Sequence, residues 1–156
     1  MLFDRAGYLR RIGYAGAVTP SLETLRGLHL AHLLHVPFEN LDIGWKRHIV
    51  CAQESFVSKV LRGRGGFCYE LNGSFAALLC DLCFQVTLLS ARVPRPDGSE
   101  SPEFDHLTLR VDLEEAWLAD VGFGDSFREP LRLEPEVEQR EDGRSYRVTE
   151  LEEGLR

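Results

Sequence analysis

The sequence predicts an α+β fold, with helices in the first half of the chain and antiparallel strands in the second. Two patterns carry that expectation. Apolar residues recur at helical spacing as far as Leu82, and from residue 85 the period shortens until residues alternate strictly over 106–112. The change of period divides the chain into a helical part, 1–83, and a strand part, 84–156. No internal repeat or low-complexity linker separates them.

Thr19-Pro20-Ser21 supplies a cap and a proline for the first helical position, and Leu22, Leu25, Leu28 and Leu33 follow at roughly helical spacing. Pro37 ends that helix, because the residue before a proline is pushed out of the helical region. A second helix is expected over 54–62, with Val57, Val60 and Leu61 on one face and Gly63 as its stop. A basic, glycine-rich loop follows, Arg62-Gly63-Arg64-Gly65-Gly66. Leu71, Phe75, Leu78, Leu79 and Leu82 then fall at i, i+4, i+7, i+8 and i+11, an amphipathic helix that begins immediately after Cys68.

Residues 85–93 are rich in Val, Leu and Thr, and a turn-forming stretch occupies 94–102. Over 106–112, Leu107, Leu109 and Val111 share one face while Thr108, Arg110 and Asp112 share the other. Glu114-Glu115 turns the chain into a strand over 117–121, closed by Gly122 and Gly124. Arg132-Leu133 and Tyr146-Arg147-Val148 read as further strand pieces, with Asp142-Gly143 a hairpin signal between them. The strand-like stretch 144–151 runs into Glu152–Arg156 with no partner in sight. That predicts an open edge prone to self-association, and a chain cut short.

With 44% hydrophobic and 28% charged residues among 156, the composition is that of a soluble globular protein. The formal charge of −7 argues against nucleic acid or an anionic membrane as the main partner, although a basic cluster could hold a phosphorylated ligand. No apolar run reaches the roughly 18 residues of a membrane helix. The N-terminus mixes acidic, basic and aromatic residues, unlike a signal peptide. The expected compartment is the cytoplasm, where Cys51, Cys68, Cys80 and Cys83 are thiols.

Cys68 follows two glycines and opens a helix, where the helix dipole or a nearby cation lowers a thiol pKa. The backbone N–H groups after it could form part of an oxyanion hole. The competing reading is a small buried hydrophobe. A nucleophile needs a base, and His106 begins the alternating strand just after a loop. Asp120 falls in an apolar strand, where a carboxylate needs a partner. A Cys68–His106–Asp120 chain would have thiolate, proton carrier and tautomer-fixing carboxylate. His29, His32 and His35 lie at i, i+3 and i+6, a spacing that drifts round the helix surface, and no carboxylate or cysteine completes a metal set; no metal is expected. Cys80 and Cys83 make a CxxC inside a helix and read as two packed thiols.

RGGFCYELN (64–72), HLTLRV (106–111), DVGFG (120–124) and PFENLD (37–42) together resemble the arylamine N-acetyltransferase family in identity, order and spacing. The resemblance covers the chain from Tyr8 to about Leu133. It implies that Cys68 accepts an acetyl group from acetyl-CoA and passes it to an aromatic amine, arylhydroxylamine or hydrazine, with His106 as base and Asp120 as its orienter. Phe38, Phe67 and Tyr69 match residues near the acceptor pocket, and Arg64 and Glu39 match structural positions that an ion pair would brace. The implied fold is an N-terminal helical bundle followed by an antiparallel β-barrel-like domain, a cysteine-protease-like core, here without the family's third, lid-forming domain. That departure predicts impaired transfer. Two alternatives stay open: a cysteine hydrolase or transglutaminase-like enzyme, and a non-catalytic truncated binding domain.

Overall fold

The computed structural model describes residues 3–151 and 154–156. α1 (Arg5–Arg11) starts at Asp4, whose carboxylate accepts from Gly7 N at 2.8 Å. α2 (Leu22–His35) is capped by Ser21, whose hydroxyl accepts from Thr24 N at 3.1 Å. Pro20 therefore precedes the cap and does not occupy the first helical position, because the serine hydroxyl satisfies a helix-end donor that proline cannot. Val36, held extended by Pro37, stops the helix. A single turn, α3 (Leu41–Gly44), leads to α4 (Gln53–Leu61), which ends where Gly63 takes a positive φ.

The longest apolar stripe forms α5 (Cys68–Asp81). Leu71, Phe75, Leu78 and Leu79 are fully buried in it. Each such side chain contributes at most about 1.5–3 kcal/mol by leaving water. Phe67 has no polar side chain with which to cap the helix, so the Glu70 carboxylate turns back and accepts from Phe67 N at 3.2 Å.

β1 (Gln85–Ala91), β2 (His106–Asp112), β3 (Ala116–Ala119) and β4 (Leu131–Arg132) form one antiparallel sheet in chain order. Leu109 pairs with Leu88 on one side and Ala119 on the other. Leu109, Val111 and Ala119 join Leu71, Phe75 and Leu78 in a single apolar core that spans helices and sheet. The strict alternation of β2 holds only at its far end. His106 and Thr108 are buried as well, because the chain after β3 covers their face and the Thr108 hydroxyl donates to Ala119 O at 3.1 Å.

The described strands do not close into the expected barrel. β4 is only two residues long and pairs with β3, so the sheet stays open. The hairpin at Asp142-Gly143 joins β5 (Glu138–Glu141) to β6 (Arg144–Arg147), not 132–133 to 146–148. Both turn residues have positive φ, 48° and 78°, which matches the twist of the flanking strands. The expected unpartnered strand over 144–151 is likewise two paired pieces, since β7 (Glu150–Leu151) meets β8 (Gly154–Leu155). Glu152 and Glu153 lie outside the described residues.

Leu109 is fully buried in the core beneath the end of the sheet that carries His106. Leu109→Ala is expected to cost about 2–5 kcal/mol, read as a lower midpoint in urea with an unchanged slope.

Candidate active site

The loop before α5 is held to the 37–39 segment by backbone alone. Glu39 N donates to Gly66 O at 2.9 Å and Gly66 N to Pro37 O at 3.3 Å. The approach is so close that a methyl group on Gly65 would lie 1.8 Å from Pro37 O. From the other side Arg11 donates to carbonyls at the end of α2, the end of α4 and the loop: His35 O at 2.5 Å, Val60 O at 3.0 Å and Arg64 O at 3.3 Å.

Beneath the loop lies a charge cluster. Arg64 Nη2 is 2.6 Å from Glu39 Oε1 and 3.3 Å from Asp42 Oδ1. Lys59, buried, reaches Glu70 at 2.7 Å, Asp42 at 2.8 Å and Glu39 at 3.3 Å. Burial works against its charge, but the hydrogen bonds it donates to Asp42 and Glu70 outweigh it and hold the ammonium above the usual lysine pKa. Glu70, in turn, is the carboxylate that caps Phe67 N, so one buried cation fixes the residue just before Cys68.

Cys68 opens α5, His106 opens β2, and Asp120 lies one residue beyond β3, outside the strand in which the sequence places it. The antiparallel pairing of β2 with β3 brings the last two together. His106 Nε2 donates to Asp120 Oδ2 at 2.5 Å, both side chains buried. The other carboxylate oxygen accepts from Asn72 Nδ2 at 2.8 Å and Gly122 N at 2.9 Å. Asn72 is one helical turn after Cys68 and completes its own set with Leu107 O at 2.6 Å and Val121 N at 2.9 Å. Gly122 rests on the start of α5; a methyl group there would be 2.8 Å from Cys68 Cα. Burial alone would lower the His106 pKa, but hydrogen bonds and charge from Asp120 and then Cys68 raise it to about 9. The raised pKa favours a cationic ring at neutral pH, held by the Asp120 carboxylate, while the Cys68 thiol donates to Asp105 O at 3.9 Å.

The histidines of α2 do not drift round a surface. His29 and His32 are fully buried, and only His35 is exposed. Burial, with His29 and Arg11 nearby, lowers the His32 pKa to about 3, so its ring is neutral. Among the described residues no group of three or more His, Cys, Asp or Glu is placed to hold a metal. Cys80 and Cys83 are exposed, not packed, because the CxxC straddles the end of α5 where the chain turns away through a positive φ at Cys83.

Phe67 and Tyr69, the sequence neighbours of Cys68, bring their rings together with centroids 5.9 Å apart. The Tyr69 hydroxyl donates to Phe104 O at 2.5 Å, tying the loop before β2 to α5. Phe38, half exposed, lies beside Gly66 through their backbone bridge. Phe123, which the sequence reading did not single out beyond its motif, meets the His106 ring edge-on at 5.2 Å and is itself partly exposed. A cavity of about 430 Å³ lies on the far side of Asp120, between α2 and the β5–β6 hairpin, and neither Cys68 nor His106 lines it.

A family model described as N-acetyltransferase matches residues 21–156. The arylamine N-acetyltransferase / N-hydroxyarylamine O-acetyltransferase of Salmonella typhimurium is 41% identical over 150 residues, covering 94% of this chain and 53% of that protein. The solved arylamine N-acetyltransferase of the same organism superposes with a TM-score of 0.88 at 39% identity, over 97% of this chain and 56% of that one. The Mycobacterium marinum arylamine N-acetyltransferase in complex with CoA gives 0.89 at 37% identity, over 97% and 59%. The chain thus spans about half the length of the curated relatives it matches.

The raised pKa of His106 sets a pH dependence. A folded pKa of about 9 against 6.5 unfolded means that the folded protein binds the proton more tightly. The resulting stability is fully present below pH 6.5 and is lost as pH rises through about 9. Denaturant midpoints measured between pH 6 and 10 should fall across that window, and Asp120→Asn should flatten most of the slope.

Proposed function

The chain belongs to the arylamine N-acetyltransferase family, and from that premise we propose that it moves an acetyl group from acetyl-CoA to an arylamine, arylhydroxylamine or hydrazine through Cys68. The observation that carries this reading is the buried His106–Asp120 contact of 2.5 Å, with the Cys68 thiol acting on the same ring. In this reading residues 1–83 supply the nucleophile and 84–156 supply its base, in the manner of a cysteine-protease-like core.

Acetyl-CoA, when bound, supplies the acetyl group as a thioester. Cys68, its proton carried by His106, attacks the thioester carbon, and the thioester sulfur departs with the proton that His106 returns to it. The first-turn N–H groups of α5 have no partner within the helix, and in this proposal they serve as donors to the developing oxyanion. His106, now neutral, takes the proton of the incoming amine as it attacks acetyl-Cys68, and the Cys68 thiolate leaves, restoring the ion pair. Asp120 holds the ring in the tautomer that both steps need. Phe38, Phe67 and Tyr69, with Phe123, offer flat apolar walls to an aromatic acceptor. Arg64 and Glu39 brace the loop that presents the nucleophile. The chemistry calls on no metal, and its proposed setting is the cytoplasm, whose reducing conditions keep Cys68 a thiol.

The experiment is peptide mass spectrometry after incubation with acetyl-CoA. Cys51, Cys80 and Cys83 are exposed whereas Cys68 is buried, so accessibility alone would label the wrong thiols. One acetyl group on Cys68, discharged by added arylamine to give the N-acetyl product, is expected. Acetylation of the exposed thiols only, or of none, contradicts the proposal.

A further inference from the structure

We propose that His29 is a positioning residue for this site: its neutral imidazole holds the backbone of Asp120 and thereby the carboxylate that orients His106. The proposal rests on the Cys68–His106–Asp120 reading above. Asp120 lies just past the last residue of β3, where the sheet ladder stops serving its N–H. That buried donor goes instead to His29 Nε2, at 3.1 Å across 91 residues of sequence. The opposite ring nitrogen donates to Arg128 O at 2.7 Å, which leaves the lone pair on Nε2 and fixes the tautomer. Phe127 stacks on the ring with centroids 5.9 Å apart and planes at 12°, and Phe75 meets it edge-on at 6.0 Å. His29 is fully buried, and burial keeps its pKa below the usual 6.5, so the accepting lone pair persists at neutral pH.

The consequence is geometric. Gly122 N and Asn72 aim one oxygen of the Asp120 carboxylate, but both act on the side chain. His29 grips the peptide on the N-terminal side of Asp120, and Asn72 Oδ1 accepts from Val121 N on the other side at 2.9 Å. Loss of His29 would leave a buried N–H without a partner and free the peptide to rotate, carrying the carboxylate off the His106 ring. Misplacement of about 1 Å in such a chain is worth up to roughly a hundredfold in rate.

The test compares amide replacements that each restore one ring nitrogen. His29→Gln can place an oxygen where Nε2 accepts from Asp120 N; His29→Asn can place an N–H where Nδ1 meets Arg128 O; His29→Leu restores neither. The readout is the iodoacetamide alkylation rate of Cys68 against pH, resolved from Cys51, Cys80 and Cys83 by peptide mass spectrometry, on protein shown to be folded by circular dichroism. We expect about a tenfold or greater loss of Cys68 rate near neutral pH in His29→Leu and His29→Asn, with a shifted pH profile. His29→Gln should recover most of the rate and the wild-type profile. Equal rates in the two amide variants, or a wild-type rate in His29→Leu, overturn the role of His29 while leaving the triad standing. If His29→Leu does not fold, the two amides decide. A wild-type Cys68 that reacts no faster than Cys51, and is indifferent to His106→Asn, overturns the triad reading and this inference with it.

Discussion

The carboxylate of Asp120 is buried where the end of β3, the start of β2 and the first turns of α5 meet, and a carboxylate in that position is tolerable only if it is fully hydrogen-bonded. His106, Asn72 and Gly122 N all donate to it, and each comes from a different stretch of chain. The constraint works in both directions. Satisfying the carboxylate obliges the strand that carries His106 and the helix that carries Cys68 to adopt one relative position. The same contacts that remove a folding penalty therefore set the distances on which the proposed chemistry depends.

A second buried charge, Lys59, plays the matching part on the other side of Cys68. Its ammonium draws Glu39, Asp42 and Glu70 together, and Glu70 holds the residue before Cys68. Arg64 adds a second cation against the same carboxylates. The loop has no regular structure to stiffen it, so charge pairing and the backbone bridge to Pro37 do that work. Glycine is required where the two segments touch, because a side chain at position 65 would collide with a carbonyl.

Much of this was legible in the sequence, and the misses have identifiable physical causes. The α5 stripe and the alternation of β2 announced their elements because burial imposes their periods directly. Cys68 and His106 stood out as chemical residue types at element ends, and Asp120 as a carboxylate set in an apolar strand. His29 was missed because the α2 histidines were spaced against one another. Set against the leucines, Leu25, Leu28, His29 and His32 fall at i, i+3, i+4 and i+7, which is a buried face. Lys59 hides in the same way between Phe56 and Val60. Asn72 is Cys68 plus one turn, a spacing that could have flagged it. Strand closure was not legible: the pairing of 131–132 with β3, and of 138–141 with 144–147, depends on register that turn residues constrain only locally.

The proposed chemistry depends on His106 being a cation held by Asp120 and raised in pKa by Asp120 and Cys68. The most direct measurement is nitrogen NMR of histidine-labelled protein near pH 7.5, with His106 assigned by comparison with His106→Asn. The predicted result is protonation of both His106 ring nitrogens, persisting until a titration near pH 9. A His106 ring that is neutral at pH 7.5 and titrates near the ordinary value of about 6.5 would contradict the account at its centre.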